Sequence, residues 1–272
     1  MADDTHDGAK SLVQAQFGAN AAKYATSAVH AKGASLARLV ELVGPKPDWT
    51  ALDIATGAGH TALAFAPHVA SIIASDLTPE MLVEAAKLAE ARGFKNMSTA
   101  EADAENLPFA DDFFNLVTCR IAPHHFPDIP AFVSEVQRVL KPGGTFALVD
   151  NVAPDAETTP GFSKSDLRDA GITYNAFEKI RDPSHGRALT TAEWREIVAD
   201  AGLSISHAEH SPKAMEFATW CKTMAVAAET VPRLASMLDD ASPALRAFIT
   251  PTRDNDKRGF VLTELILIAR KA

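Results

Sequence analysis

Hydrophobic and polar positions follow two rhythms along this chain, and each change of rhythm marks an element. ALDI (51–54) is a short, mostly apolar run that enters a glycine turn, which predicts a buried strand, and Thr61–Pro67 continues as a helix. SIIASD (71–76) predicts a second strand ending on an acid. Met81, Leu82, Ala85, Leu88 and Ala89 then recur at helical spacing, behind Thr78 as N-cap and Pro79 at the first helical position, and the pattern stops near Gly93. Residues 97–102 and FFNLVTCR (113–120) predict strands three and four. Pro130–Leu140 predicts a helix closed by KPGG, and TFALVDN (145–151) a fifth strand. Strands separated by helices in this way make βαβ units, hence a parallel sheet with helices on both faces, a doubly wound α/β fold.

After Asn151 the rhythm is lost. Residues 152–187 hold three Pro and three Gly without clean periodicity, which predicts a loop-rich insertion or lid. A capping box, Thr190 with Glu193, opens a helix that Gly202 ends. LSISHAE (203–209) reads as a strand, residues 213–240 as helical, and GFVLTELILIAR (259–270) as a long closing strand. The expected organisation is an N-terminal helical lid segment (1–45) that could fold over the glycine turn, a binding core (46–151), a substrate cap (152–258) and a closing strand (259–272).

Composition narrows the function classes. With 272 residues, 47% of them hydrophobic, the chain can bury one large core. A net charge of −9 with no Lys/Arg cluster argues against a nucleic-acid partner. The opening MADDTHDGAK lacks the basic and apolar regions of a signal peptide, and no apolar run reaches the roughly 18 residues of a membrane span. Cys119 and Cys221 are too few for a disulfide framework or a cysteine metal site, so a cytoplasmic protein, monomer or homodimer, without a metal is expected.

The candidate chemistry begins at ALDIATGAGH (51–60). Read to Ala62, its G-A-G-H-T-A satisfies the dinucleotide fingerprint, so a nicotinamide oxidoreductase is one reading. Charge points elsewhere. A pyrophosphate site wants free backbone N–H groups and no nearby negative charge, yet Asp53 stands four residues before Gly57. A carboxylate there suits a ligand carrying an ammonium and a sulfonium, as S-adenosyl-L-methionine does. Asp76, ending the second strand, can accept both ribose hydroxyls, and Asp103, after the third, an adenine amino group. Thr56, Gly57, Ala58 and Gly59 are candidates for the turn beneath the ligand, a plain tight turn being the alternative. Leu77, Met81 and Ala104 are candidates for apolar walls and a backbone N–H around the adenine, although Met81 also belongs to a core stripe.

LDIATGAGH, SDLTPEML, DAENLPF and EVQRVLKPGG, in that order, resemble the class I S-adenosylmethionine-dependent methyltransferases, and within them the ubiquinone/menaquinone C-methyltransferase group. The leading QFGANAAKY is similar to the Phe-Gly…Tyr opening of that group. The resemblance runs from about residue 15 to 151 and implies a seven-stranded Rossmann-like sheet with an antiparallel final hairpin. One departure is Phe114-Asn115, where the group has Phe-Asp. Residues 152–258 carry no motif assignable to a substrate; a protein that binds the donor without catalysis stays a further alternative.

The resemblance places CRIAPHHFPD (119–128) between methyl donor and acceptor, with Cys119 and Arg120 offering backbone carbonyls to the donor's ammonium. His124 and His125 are candidates for a general base, since an imidazole near neutrality suits an acceptor with an acidic proton. A packing role is the plainer alternative for both. Tyr24, His30, Arg181 and His185 are candidates to close the pocket over a small-molecule methyl acceptor. Arg138 reads as structural.

Overall fold

The computed structural model describes residues 2–21, 33–255 and 257–272. Within the first 151 residues the elements are helix α1 (Ala2–Gly18), α2 (Ala34–Val43), strand β1 (Thr50–Ile54), α3 (His60–Phe65), β2 (Ser71–Asp76), α4 (Pro79–Ala91), β3 (Met97–Glu101), β4 (Phe114–Arg120), α5 (Ile129–Val139) and β5 (Leu140–Asn151). Then come α6 (Lys164–Arg181), α7 (Thr191–Asp200), β6 (Leu203–Glu216), α8 (Phe217–Thr223), α9 (Val231–Asp239), α10 (Pro243–Ile249), β7 (Thr252–Asp254) and β8 (Lys257–Lys271). The sheet runs β3-β2-β1-β4-β5-β8-β6, with β7 paired to β8. From β3 to β5 every pairing is parallel, and β7 with β8 is an antiparallel hairpin. The parallel part is the doubly wound sheet that the hydrophobic pattern predicts. The antiparallel closing strands are what the resemblance implies, and with β7 the sheet has eight strands rather than seven.

The chain forms two units, Met1–Asp150 with Arg195–Glu209 and Ile266–Ala272, and Asn151–Trp194 with His210–Leu265. The first unit packs Leu39 and Val43 of α2 and Phe65 against Ala51, Ile72, Leu116, Val149 and Ile268 of the strands. Register at the strand ends is what positions chemistry. Ile54 lies opposite Ser75 on one side and Cys119 on the other, and Arg120 lies opposite Val149. The turn after β1, Asp76, the loop after β4 and Asp150 therefore gather at one end of the sheet, the carboxyl end. Asn115 does useful work where the related group has Asp: its Oδ1 accepts the Thr50 N–H at 3.0 Å and the Lys141 ammonium at 3.2 Å.

Three expectations need correction. Residues 152–187 are not mainly loop, because α6 occupies 18 of them. Its buried stripe of Leu167, Ala170, Tyr174 and Phe177 recurs at helical 3-4-3 spacing, and the Ser163/Asp166 capping box marks its start, so the helix is in the sequence despite the Pro and Gly around it. The span 213–240 is not one helical stretch: β6 runs on to Glu216, and α8 and α9 are separate helices. Nor does KPGG end outside the sheet. β5 begins at Leu140 and carries a register shift against β4 between Phe114 and Leu116. The Thr190/Glu193 capping box forms, with Glu193 accepting the Thr190 N–H at 2.8 Å.

In the second unit Phe177 and Trp220 stack, centroids 4.7 Å apart, and Phe260 meets both rings edge-on. Leu234, Leu245, Phe248 and Leu262 complete that core.

Candidate active site

The turn after β1 is held by carboxylates. Asp53 is 1% exposed. Its Oδ2 accepts from Thr56 Oγ1 at 2.5 Å and from the Ala62 N–H at 3.2 Å, and its Oδ1 from Thr118 Oγ1 at 2.6 Å. Burial pushes the Asp53 carboxyl up to about 6, against the pull of the Thr118 and Thr56 hydroxyls. Asp53 thus organises the turn from inside. Asp76 Oδ2 accepts the Gly57 N–H at 2.8 Å, and its Oδ1 the Thr78 N–H at 2.9 Å. Thr78 occupies the N-cap position of α4, but its own side chain makes no capping bond; Asp76 serves that end instead. Burial raises the Asp76 carboxyl as well, and the bonds from Thr78 and Gly57 oppose it.

Backbone geometry explains the glycines. Gly57 and Gly59 have φ of +54° and +88°, and Ala55 shares that region at +50°. A Cβ on Gly59 would stand 2.9 Å from the Ala85 Cβ of α4, so helix packing forbids a side chain there. A Cβ on Gly57 would meet nothing within 4 Å, so the turn faces open space at that point. Ala58 is buried.

Four of the turn's donors are already committed. The Thr56 N–H bonds Ser75 O, the Gly57 N–H bonds Asp76, the Gly59 N–H bonds Thr56 O and the Ala62 N–H bonds Asp53. A dinucleotide pyrophosphate needs those N–H groups and would face two buried carboxylates. A donor with ribose hydroxyls and an ammonium needs acceptors, and a carboxylate that has taken one N–H per oxygen still has lone pairs to offer. The residues present fit S-adenosylmethionine and do not fit a nicotinamide dinucleotide.

The other predicted residues fall into two places. In the first unit, Leu77 O accepts from Gln14 Nε2 of α1 at 2.9 Å, Met81 is buried in α4, and Ala104 is buried beside Asp103. Asp103 Oδ1 accepts the Glu105 N–H, and its Oδ2 pairs with Lys10 of α1 at 2.6 Å. Arg120 Nε donates to Thr61 Oγ1 at 3.0 Å, and its charge helps Asp53 stay ionised. His124 and His125, each 8% exposed, lie in the loop after β4 with ring centroids 4.3 Å apart. The His125 ring also meets Phe17 of α1 edge-on at 5.1 Å.

Arg181 and His185 belong to the second unit and are engaged there. Arg181 lies over the Trp220 ring at 4.5 Å and donates to Trp220 O, while His185 Nε2 lies 2.9 Å from Asn175 Oδ1. Tyr24 and His30 lie outside the described residues. Arg138 is structural, bonded to Glu135, Asp111 and the carbonyls of Leu107 and Phe109. Cys119 is buried and its thiol is pushed well up by burial, which makes it inert.

Sequence reasoning passed over two features. Asp150 lies 2.6 Å, Oδ1 to Nδ1, from His124 and is 1% exposed. The sequence shows an acid near the end of a predicted strand, but not which loop that strand end faces. The α1 contacts from Lys10 and Gln14 had no signal beyond helical pattern.

Comparison with known proteins fits this geometry. A family described as a methyltransferase domain matches residues 52–148. The chain is 34% identical over 230 residues to the uncharacterized methyltransferase YcgJ of Bacillus subtilis, covering 85% of this chain and 87% of that one. YafE of Escherichia coli is 32% identical, with 79% and 97% covered. The crystal structure of YcgJ matches with a TM-score of 0.80 at 32% identity, over 87% of this chain and 97% of that one. The ubiquinone/menaquinone biosynthesis C-methyltransferase of Brucella canis is 35% identical over 149 residues, 53% of this chain and 51% of that one. Among the described residues no helix is long and apolar enough to cross a membrane. The chain belongs to the class I S-adenosylmethionine-dependent methyltransferases, and S-adenosylmethionine is its methyl donor.

Proposed function

We propose that the protein methylates a small-molecule acceptor by in-line displacement, with the acceptor held beside the loop that carries His124 and His125. The observation that carries this reading is the burial of both imidazoles at the carboxyl end of the sheet, each 8% exposed and one covered by Phe17. Imidazoles this far from solvent favour an acceptor small enough to be enclosed over a folded macromolecule or a duplex. The net charge of −9 also disfavours a polyanionic acceptor. Two relatives point the same way: the Brucella protein is named for quinone biosynthesis, and a Thermus thermophilus protein, 37% identical over 119 residues, is named demethylmenaquinone methyltransferase.

When bound, S-adenosylmethionine supplies an electrophilic methyl group on a sulfonium. In this reading Asp76 accepts the ribose hydroxyls, Gly57 leaves room for the donor, and Asp103 with Ala104 meets the adenine. Asp53 keeps the turn in shape through Thr56, Ala62 and Thr118. Most of the acceleration comes from holding the acceptor about 3 Å from the methyl carbon, in line with sulfur.

The test is calorimetry with S-adenosylhomocysteine, followed by incubation of the protein with methyl-labelled S-adenosylmethionine and a metabolite extract. Label in a compound that passes a small-pore filter is the expected result. Label confined to protein or nucleic acid would overturn the small-molecule acceptor, and absence of S-adenosylhomocysteine binding would overturn the donor assignment.

A further inference from the structure

The two histidines are not equivalent. His124 has its Nδ1 against Asp150 at 2.6 Å, and both groups are buried. The His125 ring meets those of His124 at 4.3 Å and Phe17 at 5.1 Å, and its backbone N–H closes a turn onto Ala122 O. A carboxylate only accepts, so the His124–Asp150 bond keeps the imidazole proton on Nδ1 and leaves the lone pair on Nε2. Asp150 reaches this place because β5 runs parallel to β4, with Val149 opposite Arg120 and the Ile121 N–H bonded to Val149 O at 2.7 Å. Strand pairing thus fixes the carboxylate next to the loop that follows β4. The second carboxylate oxygen, Oδ2, is buried without a hydrogen-bond partner, a costly arrangement that packing alone does not require.

Resting on the function proposed above, we infer that His124 is the general base of the reaction and Asp150 its positioning residue. The inference also names the acceptor class: the atom that receives the methyl group carries a proton that a neutral imidazole can remove, as in a phenol, an enol or activated carbon acid, or a thiol. Thioethers and tertiary amines, which have no such proton, are excluded. In the step, the acceptor's X–H bond breaks and its proton goes to His124 Nε2. The electron pair of X forms the bond to the methyl carbon, and the carbon–sulfur pair leaves with sulfur as neutral S-adenosylhomocysteine. The imidazolium keeps its Nδ1–H on Asp150, which balances its charge, and the extra proton then passes to solvent.

Two measurements test this. The first needs no acceptor: long-range ¹⁵N–¹H spectra of histidine-labelled protein saturated with S-adenosylhomocysteine, with H124Q to assign the resonance. The expected result is a single Nδ1–H tautomer for His124, lost in D150N, whose amide can donate to Nδ1 and hold the proton on Nε2. An Nε2–H tautomer in the wild type, or one indifferent to D150N, overturns the inference. The second measurement uses the acceptor recovered from the extract. D150N and H124Q should lower kcat by about 10²–10⁴, while acceptor KM and the S-adenosylhomocysteine Kd stay within about threefold of the wild type, a change under 1 kcal/mol. Wild-type turnover in D150N, or an acceptor that has no proton at the methylated atom, overturns this inference and leaves the methyltransferase reading intact. A wild-type protein that transfers no label overturns the function itself.

Discussion

At the carboxyl ends of β1 and β2 each buried carboxylate is tied down by donors on known neighbours: Asp53 by Thr56, Ala62 and Thr118, and Asp76 by Gly57 and Thr78. The interior of the second unit is held differently. Phe177, Trp220 and Phe260 meet as rings, Arg181 lies over Trp220, and the Trp220 Nε1 is buried without a hydrogen-bond partner. At the strand ends polar geometry dictates residue type, since only an acceptor of the right length serves two backbone N–H groups at once. In the ring cluster, shape and volume set the requirement, and several apolar residues could meet it. Substitutions should therefore act through stability in the second unit and through charge and ligand binding at the strand ends.

The largest effect is expected for Trp220→Ala. It removes a stacked ring that is 1% exposed and leaves a cavity, which costs about 3–5 kcal/mol. Urea unfolding checks it. A loss below about 1 kcal/mol would break the comparison, because the second unit would then be held by something other than its rings.

Asp53 is the next test, through pH. Its carboxyl stands at about 6 in the folded protein against an ordinary 3.8, with burial the main cause. Between about pH 4 and 6 the folded protein holds this proton while the unfolded chain has released it. Stability from this group therefore rises as pH falls through 6, is complete below about 4, and is lost again as pH climbs. Most native-state carboxylates have the opposite sign. The swing is on the order of 3 kcal/mol. In urea unfolding from pH 7 to 4, the wild type should gain on Asp53→Asn by that order. A difference independent of pH would show that water reaches Asp53 and that this end of the sheet is less dry than its burial indicates.

The same contrast explains what was legible in the chain beforehand. Strand ends, the glycine turn and Asp76 could be placed because each is forced by a local rule: an apolar run, a positive φ, an acid where backbone donors converge. Helix α6 has a readable 3-4-3 stripe, but Gly171 inside it, an exposed Ile172 off the stripe, and the Pro and Gly on either side mask the period until a core is packed on it. Asp150 was passed over because its meaning depends on β5 lying beside β4, a pairing that no local pattern states. The partner of His124 is 26 residues away in the chain and 2.6 Å away in space.

Asp76→Ala sharpens the strand-end half of the comparison. In the proposed site it removes acceptors for the ribose hydroxyls, charge-assisted bonds of about 1.5–3 kcal/mol each. The Kd for S-adenosylhomocysteine should weaken by about tenfold or more, measured by calorimetry in a variant whose folding is checked by circular dichroism. The alanine also frees the Gly57 and Thr78 N–H groups, so some of the loss is disorder in the turn. Asp76→Asn separates the two. It keeps one carbonyl acceptor, so it should hold the turn better than alanine and still bind the donor less well than the wild type. An unchanged Kd in both variants would reduce Asp76 to a cap for α4.

The smallest effect concerns Lys10, where α1 meets the donor side. Its ammonium lies 2.6 Å from both Asp103 and Glu105. Partial burial works against the charge, but the hydrogen bonds to the two carboxylates outweigh it and hold the Lys10 pKa above its ordinary value. A partly exposed pair of this kind is worth at most about 1 kcal/mol, so Lys10→Met should weaken S-adenosylhomocysteine binding by less than about fivefold. Salt gives a cleaner signature than affinity. Raising ionic strength screens the pair, so wild-type Kd should drift toward that of the variant while the variant stays flat. The sign matters more than the size. Asp103 is the acid proposed for the adenine amino group, and Lys10 already occupies its Oδ2. If α1 helps to bind the donor, the variant binds more weakly; if Lys10 competes with adenine for Asp103, the variant binds more tightly and salt strengthens the wild type. A tighter variant would move α1 from the binding side of the comparison to a latch that the donor must displace.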